Sequence, residues 1–246
     1  MKKIIIIIGL ALITPFAFSQ TNTEVMKGDF KLASANLGRT TGYGTFQSYS
    51  SGDVKGSQFF YPTWANGSVT TTNNEVISNN YKFLFDKVRH ELFIIYKPGK
   101  EDPKEVLQAE KSQLKSFSIN TDKDHVFAPG RVYGTENPTD FYEVLSKNDS
   151  GYTLLKYIKT SFVKFDTRDI EKVKRGDMYD EFVDKTTYYV AYKSANPQKI
   201  GANKEKSVVG AFPTSKKAVV ENYFNNHSQQ DVNDDFLTKL VEIVNQ

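Results

Sequence analysis

The sequence predicts a mainly β protein of the α+β class: a single antiparallel, curved sheet or meander with two C-terminal helices packed against it. Three observations lead there. From Ser57 to Tyr192, short aromatic and β-branched runs alternate with Asn, Gly, Asp and Pro turns. Aromatic residues make up 13% of the chain, more than a chain unable to form a core carries. In the last 35 or so residues the apolar spacing changes from two to three or four.

The N-terminus reads as a targeting segment. Met1-Lys2-Lys3 is a short cationic region, Ile4 to Phe18 is apolar almost throughout, and Ala17-Phe18-Ser19 offers small residues at the positions a signal peptidase reads. Cleavage is expected between Ser19 and Gln20. The apolar run falls short of the ~20 residues that span a bilayer, and Pro15 interrupts it. Losing Lys2 and Lys3 lowers the formal charge from +3 to +1, so the charge balance gives no sign of an acidic partner. No later apolar run reaches spanning length, so no transmembrane segment is expected in the mature chain.

Residues 20–56 form a polar, glycine-dotted lead-in with room for an edge strand. Residues 57–246 then read as one β-rich domain. Tyr81, Phe83 and Phe85 fall at period two and pair with Leu92-Phe93-Ile94-Ile95-Tyr96 through a polar connection, a hairpin that Pro98-Gly99 ends. Further strand-like runs are Ser57 to Tyr61, Asn74 to Ser78, Lys115 to Ile119, His125 to Phe127, Phe141 to Leu145 and Thr186 to Lys193. Asn148-Asp149-Ser150-Gly151 predicts a second hairpin turn. The run Tyr152 to Phe165 is long for one flat strand, which predicts a bulge or a division near Lys159-Thr160. Ser215 caps an expected helix at about 215–228, with Val219, Val220, Tyr223, Phe224 and His227 on one face. Asn233 caps another at about 233–245, with Asp234 and Asp235 favouring its positive dipole end.

The chemistry the sequence excludes is broad. Without cysteine there is no disulfide, thiol nucleophile, Cys-ligated metal or lipidated N-terminal cysteine. His90, His125 and His227 stand singly, with no zinc-protease pairing. Asp122-Lys123-Asp124-His125 could hold a cation or orient a base, but reads first as a solvated turn. No Gly-x-Ser-x-Gly elbow appears, Gly42-Tyr43-Gly44 lacks the context of a phosphate loop, and Gly56-Ser57 and Gly67-Ser68 are turn signals. Acids surround Lys172-Val173-Lys174-Arg175, so no nucleic-acid partner is expected. Catalytic residues, metal sites and cofactors are therefore expected to be none. Tyr188, Tyr192 and Trp64 are the weak candidates for ligand contact; alternation sends Tyr188 and Tyr192 to one side of their strand and Tyr189 to the other.

Gly56-Ser57-Gln58-Phe59-Phe60-Tyr61-Pro62-Thr63-Trp64, Tyr81 to Asp86, Glu91 to Tyr96, Phe141 to Leu145, the Asp149 to Gly151 turn, Leu154 to Tyr157 and Lys216-Lys217 follow one another in an order that resembles a group of uncharacterised secreted β-rich proteins common in Bacteroidetes. The resemblance spans about three quarters of the mature chain. It implies a Gram-negative periplasmic setting and carries over no activity or site residues; the helical ending, unlike the β-rich C-terminal sorting domains of proteins sent across the outer membrane in such bacteria, favours the periplasm over the cell surface, with an extracellular location as the alternative.

The expected function is an exported, non-catalytic binding or envelope-associated protein, its partner an envelope protein or an apolar ligand. Two alternatives stand beside it. One is a carrier of a lipid or apolar ligand in a partly open sheet, which predicts that Phe83, Phe85, Phe93, Ile95, Leu154 and Ile158 enclose a cavity. The other is a carboxylate-based hydrolase of envelope glycans, which predicts two facing acids in a cleft, one with a raised pKa.

Overall fold

The computed structural model describes residues 38–41, 54–97, 106–193, 197–202 and 204–246. The expected signal segment, most of the lead-in and the Pro98-Gly99 stop lie outside the described residues. The chain is mainly β, but its strands form two sheets where one was expected. The smaller sheet has the order β1-β7-β6-β5, from β1 (Gly38–Thr41), β5 (Tyr81–Asp86), β6 (Glu91–Tyr96) and β7 (Val106–Ala109). The larger runs β13-β12-β11-β10-β9-β8-β3-β4. Its members are β3 (Asn66–Thr71), β4 (Val76–Ile77), β8 (Leu114–Asn120), β9 (Asp124–Pro129), β10 (Phe141–Ser146), β11 (Tyr152–Val163), β12 (Asp180–Tyr192) and β13 (Gln198–Ile200), with β2 (Val54–Lys55) added in parallel to β12.

The reason for two sheets is legible in the hairpin itself. Phe83, Phe85, Leu92 and Ile94 are buried on one face of the small sheet, and Leu84, Phe93 and Ile95 on the other. A hairpin that is apolar on both faces needs cover on both, so it folds over the larger sheet instead of extending it. Ala65 and Phe83 exchange backbone hydrogen bonds of 3.0 and 2.9 Å at the corner where the two sheets meet.

A row of cross-strand neighbours shows how the large sheet is covered. Ile77, Val69, Phe117, Phe127, Glu143, Lys156, Tyr188 and Ile200 lie opposite one another in successive strands, and so share one face. The small sheet covers the row from Ile77 to Phe127, where Phe85, Phe117, Phe127 and Phe141 pack with ring centroids 4.9–5.9 Å apart. Helices cover Tyr188 and Ile200 at the far end. Tyr142, Leu155, Tyr189 and Ala191 are buried on the opposite face.

The described residues include four helices: α1 (Ile170–Arg175), α2 (Glu205–Gly210), α3 (Thr214–Asn226) and α4 (Asp234–Val244). In α4, Phe236, Leu237, Leu240, Val241 and Val244 form the buried stripe, and the Asn233 side chain accepts the Phe236 N–H at 3.0 Å, as its sequence predicts. Helix α3 starts one residue earlier than expected, after Pro213 rather than on a Ser215 cap. Two helices were not foreseen. Six residues with Val208 as the only buried side chain carry no period for α2, and α1 buries nothing, held by Asp169 at its start and left-handed Gly176 at its end.

Three strand expectations change for stated reasons. β11 pairs with β12 without a shift through Lys159 and Thr160, so the long run is one unbroken strand; the bulge lies on β10 between Val144 and Ser146. Ser57 to Tyr61 contributes a single bridge through Phe59. Gly67 is no turn residue but sits within β3, where an added Cβ would come to 2.0 Å from the Ser118 carbonyl oxygen and 3.1 Å from the Phe83 ring. Gly67→Ala is therefore expected to lower unfolding free energy by about 1–3 kcal/mol in chemical denaturation, while Gly210→Ala, with open space at its Cβ, leaves it within about 0.5 kcal/mol.

Candidate functional site

The row of neighbours breaks from apolar to charged at Glu143 and Lys156, in the gap between the two covers. Around this pair five elements bring polar side chains together. Glu143 Oε1 lies 2.6 Å from His125 Nδ1, and Glu143 Oε2 lies 3.6 Å from Lys156 Nζ. Lys156 Nζ donates to Asp234 Oδ2 at 2.6 Å, and the Tyr188 hydroxyl donates to Asp234 Oδ1 at 2.6 Å. The other His125 nitrogen, Nε2, faces Asp122 Oδ1 at 3.5 Å, and the ring meets Phe60 edge-on. Asp234, which sequence places in the first turn of α4 for its dipole, thus also ties the helix to the sheet.

Electrostatics favour the ionised Asp234 carboxylate and the neutral Tyr188 hydroxyl. Burial would raise the Asp234 pKa, but hydrogen bonds from Lys156 and Tyr188 outweigh it and keep the carboxyl below the usual carboxylate range. Burial, together with the bond to Asp234, pushes the Tyr188 hydroxyl well above its ordinary value. His125 faces carboxylates at both nitrogens, Glu143 at Nδ1 and Asp122 at Nε2. Glu143 and Asp234 meet the same ammonium, not each other. The arrangement is a clamp between helix and sheet. Among the described residues no group of three or more His, Asp or Glu is placed to hold a metal ion.

His90 is a fully buried imidazole. Its Nδ1 accepts the Phe141 N–H at 3.2 Å, while the ring bonds to the Ile158 backbone and stacks on Tyr157 at 5.2 Å. It thereby substitutes for a ladder bond between β10 and β11, where Phe141 would have faced Ile158. Burial holds its pKa below the ordinary 6.5; the Asp140 carboxylate opposes that shift and Lys111 adds to it. Asp86, the buried acid with a raised pKa, owes the rise to burial, and its Oδ1 accepts the Val88 and Arg89 N–H groups of the hairpin turn.

The three expected contact residues fall in three different places. Trp64 packs half-buried against Leu84, Phe93, Ile95 and Val106 on the outer face of the small sheet. Tyr188 is buried in the clamp. Tyr192, on the same side of β12 as Tyr188, is 46% exposed and lines a pocket of about 590 Å³. The pocket's other walls are Tyr152, Val190, Gln198 and the Gly210–Ser215 connection of α2 to α3. Tyr152 stands between Tyr192 and Phe212, at 4.9 and 5.5 Å between ring centroids. Among the described residues no charged side chain lines it. Tyr152 and Phe212 escape a sequence reading because the packing of α2 on β13, which no periodicity announces, brings them together.

No helix among the described residues is long and apolar enough to cross a membrane. No family model, curated protein or solved structure matches the chain.

Two outcomes follow from this geometry. Lys156→Met strands two acids at the edge of the core, and is expected to cost about 2–3 kcal/mol in denaturant titration, at the low end for a broken buried pair because Asp234 keeps some solvent. For His90, the unfolded chain takes up a proton near pH 6.5 and the folded one only below that. Unfolding then binds protons, so this group's stability is full above pH 6.5 and is lost as pH falls below it. His90→Asn, which tolerates the φ of +52° there, is expected to flatten the decline in melting temperature below pH 6.5.

Proposed function

We propose that this chain is an exported, non-catalytic binding protein whose ligand surface is the aromatic pocket at Tyr152, Tyr192 and Phe212. The observation that carries this reading is the pocket's chemistry: three aromatic rings, one amide and, among the described residues, no charge, next to a sheet whose Glu143, Lys156 and Asp234 contacts are taken up in internal pairing. Such walls favour a neutral ligand with flat apolar faces and hydroxyl or carbonyl groups at its edges. Export is supported by the Met1 to Ser19 pattern and by the resemblance to secreted β-rich proteins, which favours the periplasm.

The carrier reading loses its main support, because Phe83 and Phe85, Phe93 and Ile95, and Leu154 belong to three separate packed clusters and Ile158 is half-buried. The hydrolase reading is weakened likewise. Its raised acid, Asp86, is bound into a turn, and Glu143 and Asp234 share a lysine.

Native mass spectrometry of the protein purified from its own periplasm tests the proposal. The expected mass is that of residues 20–246 with a small neutral molecule bound, and Tyr192→Ala, at an exposed position, is expected to abolish the adduct. A chain that keeps Met1 overturns export, and a ligand-free spectrum for the unsubstituted protein overturns the pocket.

A further inference from the structure

β11 and β12 outrun their neighbours. β10 pairs with β11 no further than Lys156, and β13 leaves β12 at Tyr188. From Ile158 to Val163 and from Asp180 to Thr187 the two strands have each other, and among the described residues only the two-residue β2 lies beyond them. Lys87 reaches from the β5–β6 turn to Asp184, 2.5 Å away, and anchors the root of this arm to the body.

The arm is unusual in what it exposes. Ile170 and Met178 at its end are 63% and 62% exposed, and Val173, Val163, Val183 and Val54 join them above a third. Stray apolar side chains on a surface need no explanation, but half a dozen gathered at the end of one projection do. Their charged neighbours follow a pattern. Each acid from Asp166 to Asp184 is occupied by an arginine, a lysine or a backbone N–H. Lys159, Lys164 and Lys185 are exposed and have no carboxylate partner among the described residues. Lys159 and Lys185 are also direct cross-strand neighbours on the face that carries Val163 and Val183. Two like charges in that register repel, and an anion held between them turns the repulsion into attraction.

We propose that the end of the β11–β12 arm is a lipid-docking surface: Ile170, Val173 and Met178 enter the interface, and Lys159 and Lys185 hold a lipid phosphate. The lysine pair lies four residues behind Val163, ~13 Å along the strand, which sets it at headgroup height once the apolar end is immersed. Apolar side chains exposed at the end of the arm suit a deformable apolar medium, and the free lysines supply the charge complementarity. The inference rests on the exported reading only for which membrane is met; docking itself is independent of it and of the pocket.

Co-sedimentation of the purified protein, its first residue established by intact mass, with two kinds of vesicle tests this. One is phosphatidylethanolamine with phosphatidylglycerol, the other phosphatidylcholine alone. Binding to both is expected, tighter for the anionic vesicles and weakened there by salt. An I170S/M178S variant is expected to lose about tenfold or more on both, and K159S/K185S to lose only the anionic preference, each with an unchanged melting temperature. Absence of binding to either vesicle, or variants that bind as the unsubstituted protein does, overturns the proposal. Complete competition by millimolar inorganic phosphate on both vesicles reduces the site to an ion site and overturns it. A dimer in velocity sedimentation that I170S/M178S dissolves, without vesicle binding, assigns the surface to a second copy instead.

Discussion

One face of the larger sheet has to serve two covers, and the Glu143–Lys156 pair is where they meet. An apolar row of eight residues would call for one continuous lid, yet the small sheet ends over Phe127 and the helices begin over Tyr188. Two adjacent charged residues in the middle of the row can be buried only if each finds a partner, because an unpaired charge there costs several kcal/mol. His125 from β9 supplies one and Asp234 from α4 the other. The clamp thus fixes where the helical layer sits.

Other polar groups hold the remaining seams in the same way. The Asn245 side chain accepts the Tyr152 N–H at 2.7 Å and donates to its carbonyl at 2.9 Å, so the end of α4 mimics a strand partner at the start of β11. Lys216 donates to the Val244 carbonyl at 2.6 Å and closes α4 against α3. His90 fills the split between β10 and β11, and Lys87 from the same hairpin reaches Asp184. The tip of one hairpin therefore sets where the large sheet ends and the arm begins. Each of these contacts joins residues distant in sequence and adds to the apolar packing of the small sheet and the helices on the larger sheet.

The functional reading depends on this division of labour. His125, Glu143, Lys156 and Asp234 are committed to one another, whereas the surface at Tyr192 is aromatic and the end of the arm is apolar with free lysines. Sequence reads Asp122 to His125 as a solvated turn; Asp122, Lys123 and Asp124 are exposed as that reading expects, whereas His125 lays its ring against Glu143 on the next strand. Spacing within a strand cannot reveal which residue the neighbouring strand will present.

What the sequence determined by itself was local. The period-two run of Tyr81, Phe83 and Phe85 made a strand, Asn148 to Gly151 a turn, Asn233 a cap, and the spacing from Phe236 to Val244 an amphipathic helix, since each rests on dihedral preference and side-chain period within a few residues. Strand alternation likewise fixed the opposite facing of Tyr188 and Tyr189. Only the tertiary structure decided that the hairpin of Phe83 and Leu92 closes a second sheet, that Gly67 yields space to a neighbouring backbone, that Tyr152, Tyr192 and Phe212 share a pocket, and that β11 and β12 run on as an arm. Those outcomes turn on which faces must be covered and which strands end first, and both are settled by partners far away in the chain.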